Sequence, residues 1–175
     1  VRYYQFEGLA ISTDGGESFI RAQRVPVTDR TDQELLNRTS AFVRLRDGRF
    51  QMWYVGGSEW TVIDDKPMPV YNIRYMESAD GINWPAKGRI CIDHTHDGEY
   101  AFGRPFVIEE KAKQLMFYSS RTRSKGYRIG YAESTDGQNW VRRDDEIGID
   151  VSANGWDSQM LAYACVVRHK DKVYM

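Results

Sequence analysis

Three carboxylate positions stand out by their spacing. Asp97 and Asp157 each lie six residues before a matched pair of positions, Gly103 and Tyr163, and Glu99 falls in register with Gln159. A carboxylate in one segment and an amide in the next suit the binding of hydroxyl groups, and Glu99 has the chemistry of a general acid. Asp97 and Asp157 equally fit turns whose side chains bond back to nearby amides. Arg38, Arg104 and Arg121 recur at the starts and ends of comparable segments. Their five-donor forks would hold a carboxylate or a phosphate, or pair structurally with neighbouring acids. The stretch GSEWTVIDDKPMPVY (57–71) reads as a long loop holding Glu59, Trp60, Asp64 and Asp65. Trp60 and Trp156 offer flat apolar faces for stacking on a ring, or for packing at a rim. His94-Thr95-His96-Asp97 has the alternation of a metal cluster, but no further histidine stands near it, so a hydrogen-bonded loop without metal is expected.

These residues must be positioned by strands. The 175 residues include five Trp, eleven Tyr and seven Phe, while Val and Ile outnumber Leu and Ala, a balance that suits pleated surfaces. Three related turns recur: STDGGESF (12–19), SADGINW (78–84) and STDGQNW (134–140). Period-two strands precede the last two, and Asp-Gly suits a tight turn because glycine takes the positive φ. The phrase AFVRLRDGRFQMWYVGG (41–57) parallels PFVIEEKAKQLMFYSSR (105–121) at an offset of 64, whereas Asp80 and Asp136 are offset by 56. Strands are therefore expected near 40–46, 50–57, 72–79 and 84–92, then near 104–110, 114–121, 127–134 and 140–144. Trp84 and Trp140, fixed by the repeat, read as scaffold.

Four-stranded antiparallel units at this interval predict an all-β fold, a β-propeller, with a β-sandwich as the alternative. Residues 1–30 would end one blade, 38–92 and 103–144 would be whole blades, and 163–175 would start the next. The chain is thus expected to be about half of a five-bladed ring, with the remaining blades outside it. Lys and Arg total 24 against 25 Asp and Glu, which provides no basic field for nucleic acid. The longest apolar run, MLAYACVV (160–167), is too short to span a bilayer. Cys91 and Cys165 read as free, buried thiols, and nothing in the sequence calls for a cofactor or names a compartment.

The strand phrases QMWYVGG and QLMFYSSR, the phrases RYMESADGINW and GYAESTDGQNW, and GRPFV at 103–107 resemble the five-bladed propellers of glycoside hydrolase families 43 and 32 and their relatives. STDGGESF also fits the Asp-box turn of sialidase-type propellers. The resemblance implies a central funnel in which carboxylates from successive inner strands meet, two of them acting as acid and base on a glycan. The family's Glu-Gly-Pro phrase is not met. With its proline on Pro105, Gly103 stands for the glutamate and Arg104 for the glycine, and Thr39-Ser40-Ala41 and Tyr163-Ala164-Cys165 also carry no acid. The expected function is a glycosidase-like propeller acting on an oligosaccharide or polysaccharide, with Glu99, Asp157 and Asp97 as candidate catalytic groups. Arg38, Glu59, Trp60, Arg104, Arg121, Trp156 and Gln159 would bind substrate. The alternative is a glycan-binding or polysaccharide-assembly propeller that lacks the hydrolase acids; a protein-interaction propeller is the third reading.

Overall fold

The computed structural model describes residues 3–96 and 98–175. Its strands are β1 (Gln5–Phe6), β2 (Ala10–Ile11), β3 (Ile20–Arg21), β4 (Asn37–Arg46), β5 (Arg49–Ile63), β6 (Lys66–Ser78) and β7 (Arg89–Ile92). They continue with β8 (Glu99–Glu110), β9 (Lys113–Thr122), β10 (Arg128–Ser134), β11 (Val141–Arg142), β12 (Val167–His169) and β13 (Lys172–Tyr174). A 3-10 turn covers Asp144–Glu146. Among the described residues no helix is long and apolar enough to cross a membrane.

The expected β-propeller of separate four-stranded blades is not what forms. Nine strands share one mixed sheet in the order β1-β4-β5-β6-β8-β9-β10-β11, with β7 paired to β6. The reason lies in the junctions. Parallel pairing joins β1 to β4 through Gln5–Asn37 and Phe6–Arg38, and β6 to β8 through Tyr71–Ala101. Backbone pairing therefore runs across the boundaries where blades would separate. The path ends at β1 and β11 and does not close into a ring. The pairs β2–β3 and β12–β13 stand as two small sheets of their own.

The core explains why the strands take these faces. Trp53, Ile73, Tyr75 and Ile92 from β5–β7 pack with Phe102, Val107, Met116, Tyr118 and Ala132 from β8–β10. The two halves of the sheet thus face each other across the Tyr71–Ala101 junction. Trp53 is fully buried, and its indole N–H donates to Gly137 O at 2.9 Å, tying β5 to the turn after β10. Arg44 ties the halves again through Gln114 Oε1 at 2.8 Å and Glu109 at 3.1 Å.

The repeated turns fold alike because their chemistry is local. Ser78 Oγ accepts the N–H of Asp80 and Gly81, and Asp80 accepts those of Ile82 and Asn83. Ser134 and Asp136 repeat this with Gly137, Gln138 and Asn139. Trp84 and Trp140 each donate their indole N–H to the turn glycine, at 3.0 and 2.9 Å. These bonds hold the carboxyls of Asp80 and Asp136 well below the usual range, the amide of Asn83 or Asn139 being the largest cause in each.

The stretch 57–71 is not a loop. β5 runs through to Ile63 and β6 starts at Lys66, so only Asp64 and Asp65 turn the chain. Both have positive φ, 48° and 59°, the geometry of a two-residue hairpin turn. Pro67 and Pro69 lie opposite Val62 and Trp60, two positions apart. With Ile63–Lys66 closing the turn as a bonded pair, both prolines occupy positions that donate nothing to β5. The thiols also differ from expectation. Cys91 is half-buried with burial pushing it up to about 12, while Cys165 is exposed.

Candidate functional site

A cleft of about 610 Å³ opens where β4, β6, β8 and β9 come together. Its wall is built by bulges at the starts of two strands. The register of β4 on β5 shifts between Thr39 and Phe42, and that of β8 on β9 shifts between Gly103 and Phe106. Ser40 and Arg104 sit in these bulges with φ of 54° and 44°, and Tyr163 has a φ of 66°. Left-handed backbone costs a side-chain-bearing residue on the order of 1–2 kcal/mol, and such outliers gather at functional sites. All three line the cleft.

Aromatic and cationic groups continue along the wall. Tyr71 and Tyr127 share a hydrogen bond between hydroxyls at 2.8 Å. Burial pushes both phenols up, so they are neutral at ordinary pH. The Tyr127 and Tyr163 rings lie 5.7 Å apart. Arg104 lies 5.4 Å from the Tyr163 ring centre, and Arg121 lies 5.5 Å from that of Tyr127 and 5.7 Å from that of Tyr100. The result is a ladder of two rings with a guanidinium at each end. Among the described residues neither guanidinium has a carboxylate partner. Gln5 and Glu7 complete the lining beside Thr39 and Ser40. Glu7 Oε1 accepts the Ala41 N–H at 2.8 Å, which fixes its carboxylate against the β4 bulge.

The other candidates lie elsewhere. The Glu99 side chain is 4% exposed, and Arg142 grips both its oxygens at 2.6 and 3.0 Å. Glu99 also accepts the N–H of Thr95 and His96. Burial opposes its charge, but Arg142 and the two amides outweigh burial and hold the carboxyl at about 2. Arg142 reaches on to Asp144, which accepts the Tyr118 hydroxyl at 2.5 Å. Arg38 is buried, with Glu34 at 2.7 Å and the carbonyls of Asp29 and Pro85 as acceptors. Glu34 is itself fully buried and also holds Arg74 at 2.7 Å and the Tyr54 hydroxyl at 2.8 Å.

Asp157 accepts the Ser152 hydroxyl at 2.7 Å, and Trp156 beside it is 95% exposed. Gln159 is exposed, and its backbone carbonyl accepts from Arg128. Glu59 borders a smaller cleft of about 210 Å³ with Asn72, Asp93 and His94. Trp60 meets the Tyr3 ring edge-to-face at 5.9 Å, and Tyr3 belongs to the main cleft. Asp97 lies outside the described residues. Among those described, no group of three or more His, Cys, Asp and Glu side chains is arranged to hold a metal ion.

Of the sequence candidates, the structure brings Arg104 and Arg121 together, with Trp60 adjacent through Tyr3. It adds Glu7, Tyr71, Tyr127 and Tyr163. Tyr71 and Tyr127 carried a readable signal, since they stand 56 apart, the same offset as Asp80 and Asp136. Glu7 carried none, because it lies in no repeated phrase.

No family model matches the chain. It is 33% identical over 168 residues to the uncharacterized protein Rv1502 of Mycobacterium tuberculosis strain H37Rv, covering 96% of this chain and 54% of that protein. Protein MT1551 of strain CDC 1551 is matched to the same extent. The chain therefore spans about half the length of the curated relatives it matches. Among solved structures, BT0996, described as an RGII complex, superposes with a TM-score of 0.76 at 20% identity, over 96% of this chain and 51% of that protein. One described as a glycoside hydrolase gives 0.73 at 19%, over 96% and 51%. Zg3597, a family 117 glycoside hydrolase of Zobellia galactanivorans, gives 0.63 at 17%, over 78% and 46%. The chain shares its fold with parts of these proteins. The resemblance to families 43 and 32 is corrected accordingly: the likeness is distant and reaches a family 117 enzyme, and the open sheet is not their five-bladed ring.

Proposed function

We propose that this chain is part of a carbohydrate-active protein and that it binds glycan in the Tyr71–Tyr127–Tyr163 cleft. The observation that carries this reading is the lining itself. Tyr3, Tyr71, Tyr127 and Tyr163 offer aromatic rings and hydroxyls, while Thr39, Ser40, Gln5 and Glu7 place further hydroxyl, amide and carboxylate groups around one opening of about 610 Å³. Sugar rings present apolar faces to aromatic rings and hydroxyls to such polar groups. The fold shared with glycoside-hydrolase chains supports the reading, although a fold hosts many activities and the site must carry the argument.

Binding is better supported than cleavage by these residues alone. Glycoside cleavage uses two carboxyl groups, one protonated and one ionised. The described lining supplies one, Glu7. Glu99 is held ionised by Arg142, and Asp157 is occupied with Ser152. Hydrolysis is the second reading. It is favoured by the position of Glu7 in the cleft and requires a second carboxyl besides those of the described lining.

The test is a titration of oligosaccharides into the full-length protein by calorimetry, with sugar release assayed in parallel. Binding that Tyr127→Ala weakens, without sugar release, supports the binding reading. Sugar release that Glu7→Gln abolishes supports hydrolysis. Absence of binding and of release across neutral and acidic glycans overturns both.

A further inference from the structure

The cleft's charge goes beyond what a neutral sugar needs. Arg104 and Arg121 both line it, and among the described residues neither guanidinium donates a hydrogen bond or meets a carboxylate. Elsewhere the chain gives its inward-facing arginines acids. Arg38 and Arg74 close on Glu34, Arg142 closes on Glu99 and Asp144, and Arg44 meets Glu109. In the cleft, aromatic rings take the place of the acids: Tyr163 faces Arg104, and Tyr127 and Tyr100 face Arg121.

A ring face holds a guanidinium in place but uses none of its N–H donors, so the fork remains open to an acceptor in the cleft. Ring stacking also limits the rotamers of both arginines, so less freedom is lost when they bind an anion. Arg104 is presented by a left-handed bulge residue, a conformation that an ordinary surface arginine does not need. Glu7 is the one acidic side chain in the described lining, and its Oε1 is occupied by the Ala41 N–H.

We propose that the glycan bound in this cleft carries an acid group, and that Arg104 and Arg121 are the residues that select it. The inference rests on the glycan-binding reading above. The acid group is a uronic carboxylate or a phosphate ester on the sugar, and both satisfy the same paired, charge-assisted donors.

The experiment measures binding of the full-length protein to matched sets of oligosaccharides. Each set holds a neutral chain, the same chain with uronic acids, its carboxyl-reduced form, a phosphorylated form and its phosphatase-treated form. The expected result is that an acidic form binds about tenfold or more tightly than its neutral match. That preference should fall about tenfold in Arg104→Gln and in Arg121→Gln, and shrink as salt rises. Loss of binding on carboxyl reduction identifies a carboxylate, and loss on phosphatase treatment identifies a phosphate; either supports the proposal. The salt dependence of the preference, together with a parent-like melting temperature of the variants, separates selection from misfolding. Equal affinity for neutral and acidic forms overturns this proposal while leaving the glycan reading intact. Absence of binding to every form overturns both.

Discussion

Arg142 closes on both carboxylate oxygens of Glu99 from 43 positions away in sequence, at 2.6 and 3.0 Å. Because Glu99 begins β8 and Arg142 ends β11, the pair ties the two edges of the second half of the sheet together. The same guanidinium reaches Asp144, which holds the buried Tyr118 hydroxyl. A residue with the chemistry of an acid catalyst is here the anchor of an ion-pair network.

That anchor makes stability depend on acid. The Glu99 carboxyl is lowered from 4.5 to about 2, so its contribution is complete above pH 4.5 and is lost as pH falls through about 2. The size of the shift corresponds to about 3 kcal/mol. Glu99→Gln should lose about that much at pH 7 and should lose less stability than the parent protein between pH 5 and pH 2. Urea unfolding at a series of pH values measures both. A parent-like pH profile in the variant would falsify the assignment.

Glu34 is fully buried between Arg38, Arg74 and Tyr54. Glu34→Gln leaves two buried guanidiniums without a counter-charge, so a loss of about 3–5 kcal/mol is expected. Tyr54→Phe removes only one hydroxyl from the same cluster and should cost about 1–2 kcal/mol. Chemical denaturation of the two variants, side by side, checks the order.

Gly130 lies against the Tyr118 ring, and an added Cβ would stand 2.3 Å from it. Since Tyr118 is fully buried and held by Asp144, the ring has no room to retreat. Gly130→Ala should destabilise by about 1–3 kcal/mol, seen as a lower melting temperature. A parent-like melting temperature would show that the ring can move aside.

The hairpin turn at Asp64-Asp65 uses two non-glycine residues at positive φ. Asp65→Gly removes that strain and should stabilise by about 0.5–1 kcal/mol, because glycine is favoured at this position of such turns. Thermal unfolding reads the gain, and a loss of stability would mean that the Asp65 side chain contributes more than its strain costs.

In the cleft, Tyr71→Phe leaves the Tyr127 hydroxyl without its partner at 2.8 Å. The fold should lose about 1 kcal/mol, and glycan affinity should fall several-fold more than in Trp156→Ala, whose ring stands 95% exposed away from the cleft. Calorimetry on both variants separates the two positions; an equal effect would place the binding surface elsewhere.

Sequence alone was sufficient for what is decided within a few residues. The Ser-x-Asp-Gly turns, the tryptophans that close them and most strands of the two halves follow from side chains bonding to adjacent backbone and from period-two apolar patterns. The hairpin over 57–71 was hidden because its turn carries Asp-Asp without glycine and its prolines imitate breakers, although both prolines sit where no donor is needed.

Tertiary structure decided the rest. Repeated phrases specify antiparallel neighbours, but the parallel pairs Phe6–Arg38 and Tyr71–Ala101 join segments 32 and 30 residues apart, and they turn the expected blades into one open sheet. Whether an arginine serves the interior or the cleft is decided in the same way. Arg38 reaches the Pro85 carbonyl 47 positions away, while among the described residues Arg104 meets the Tyr163 ring, since a side chain's role depends on which distant partners the packing brings within a few ångströms.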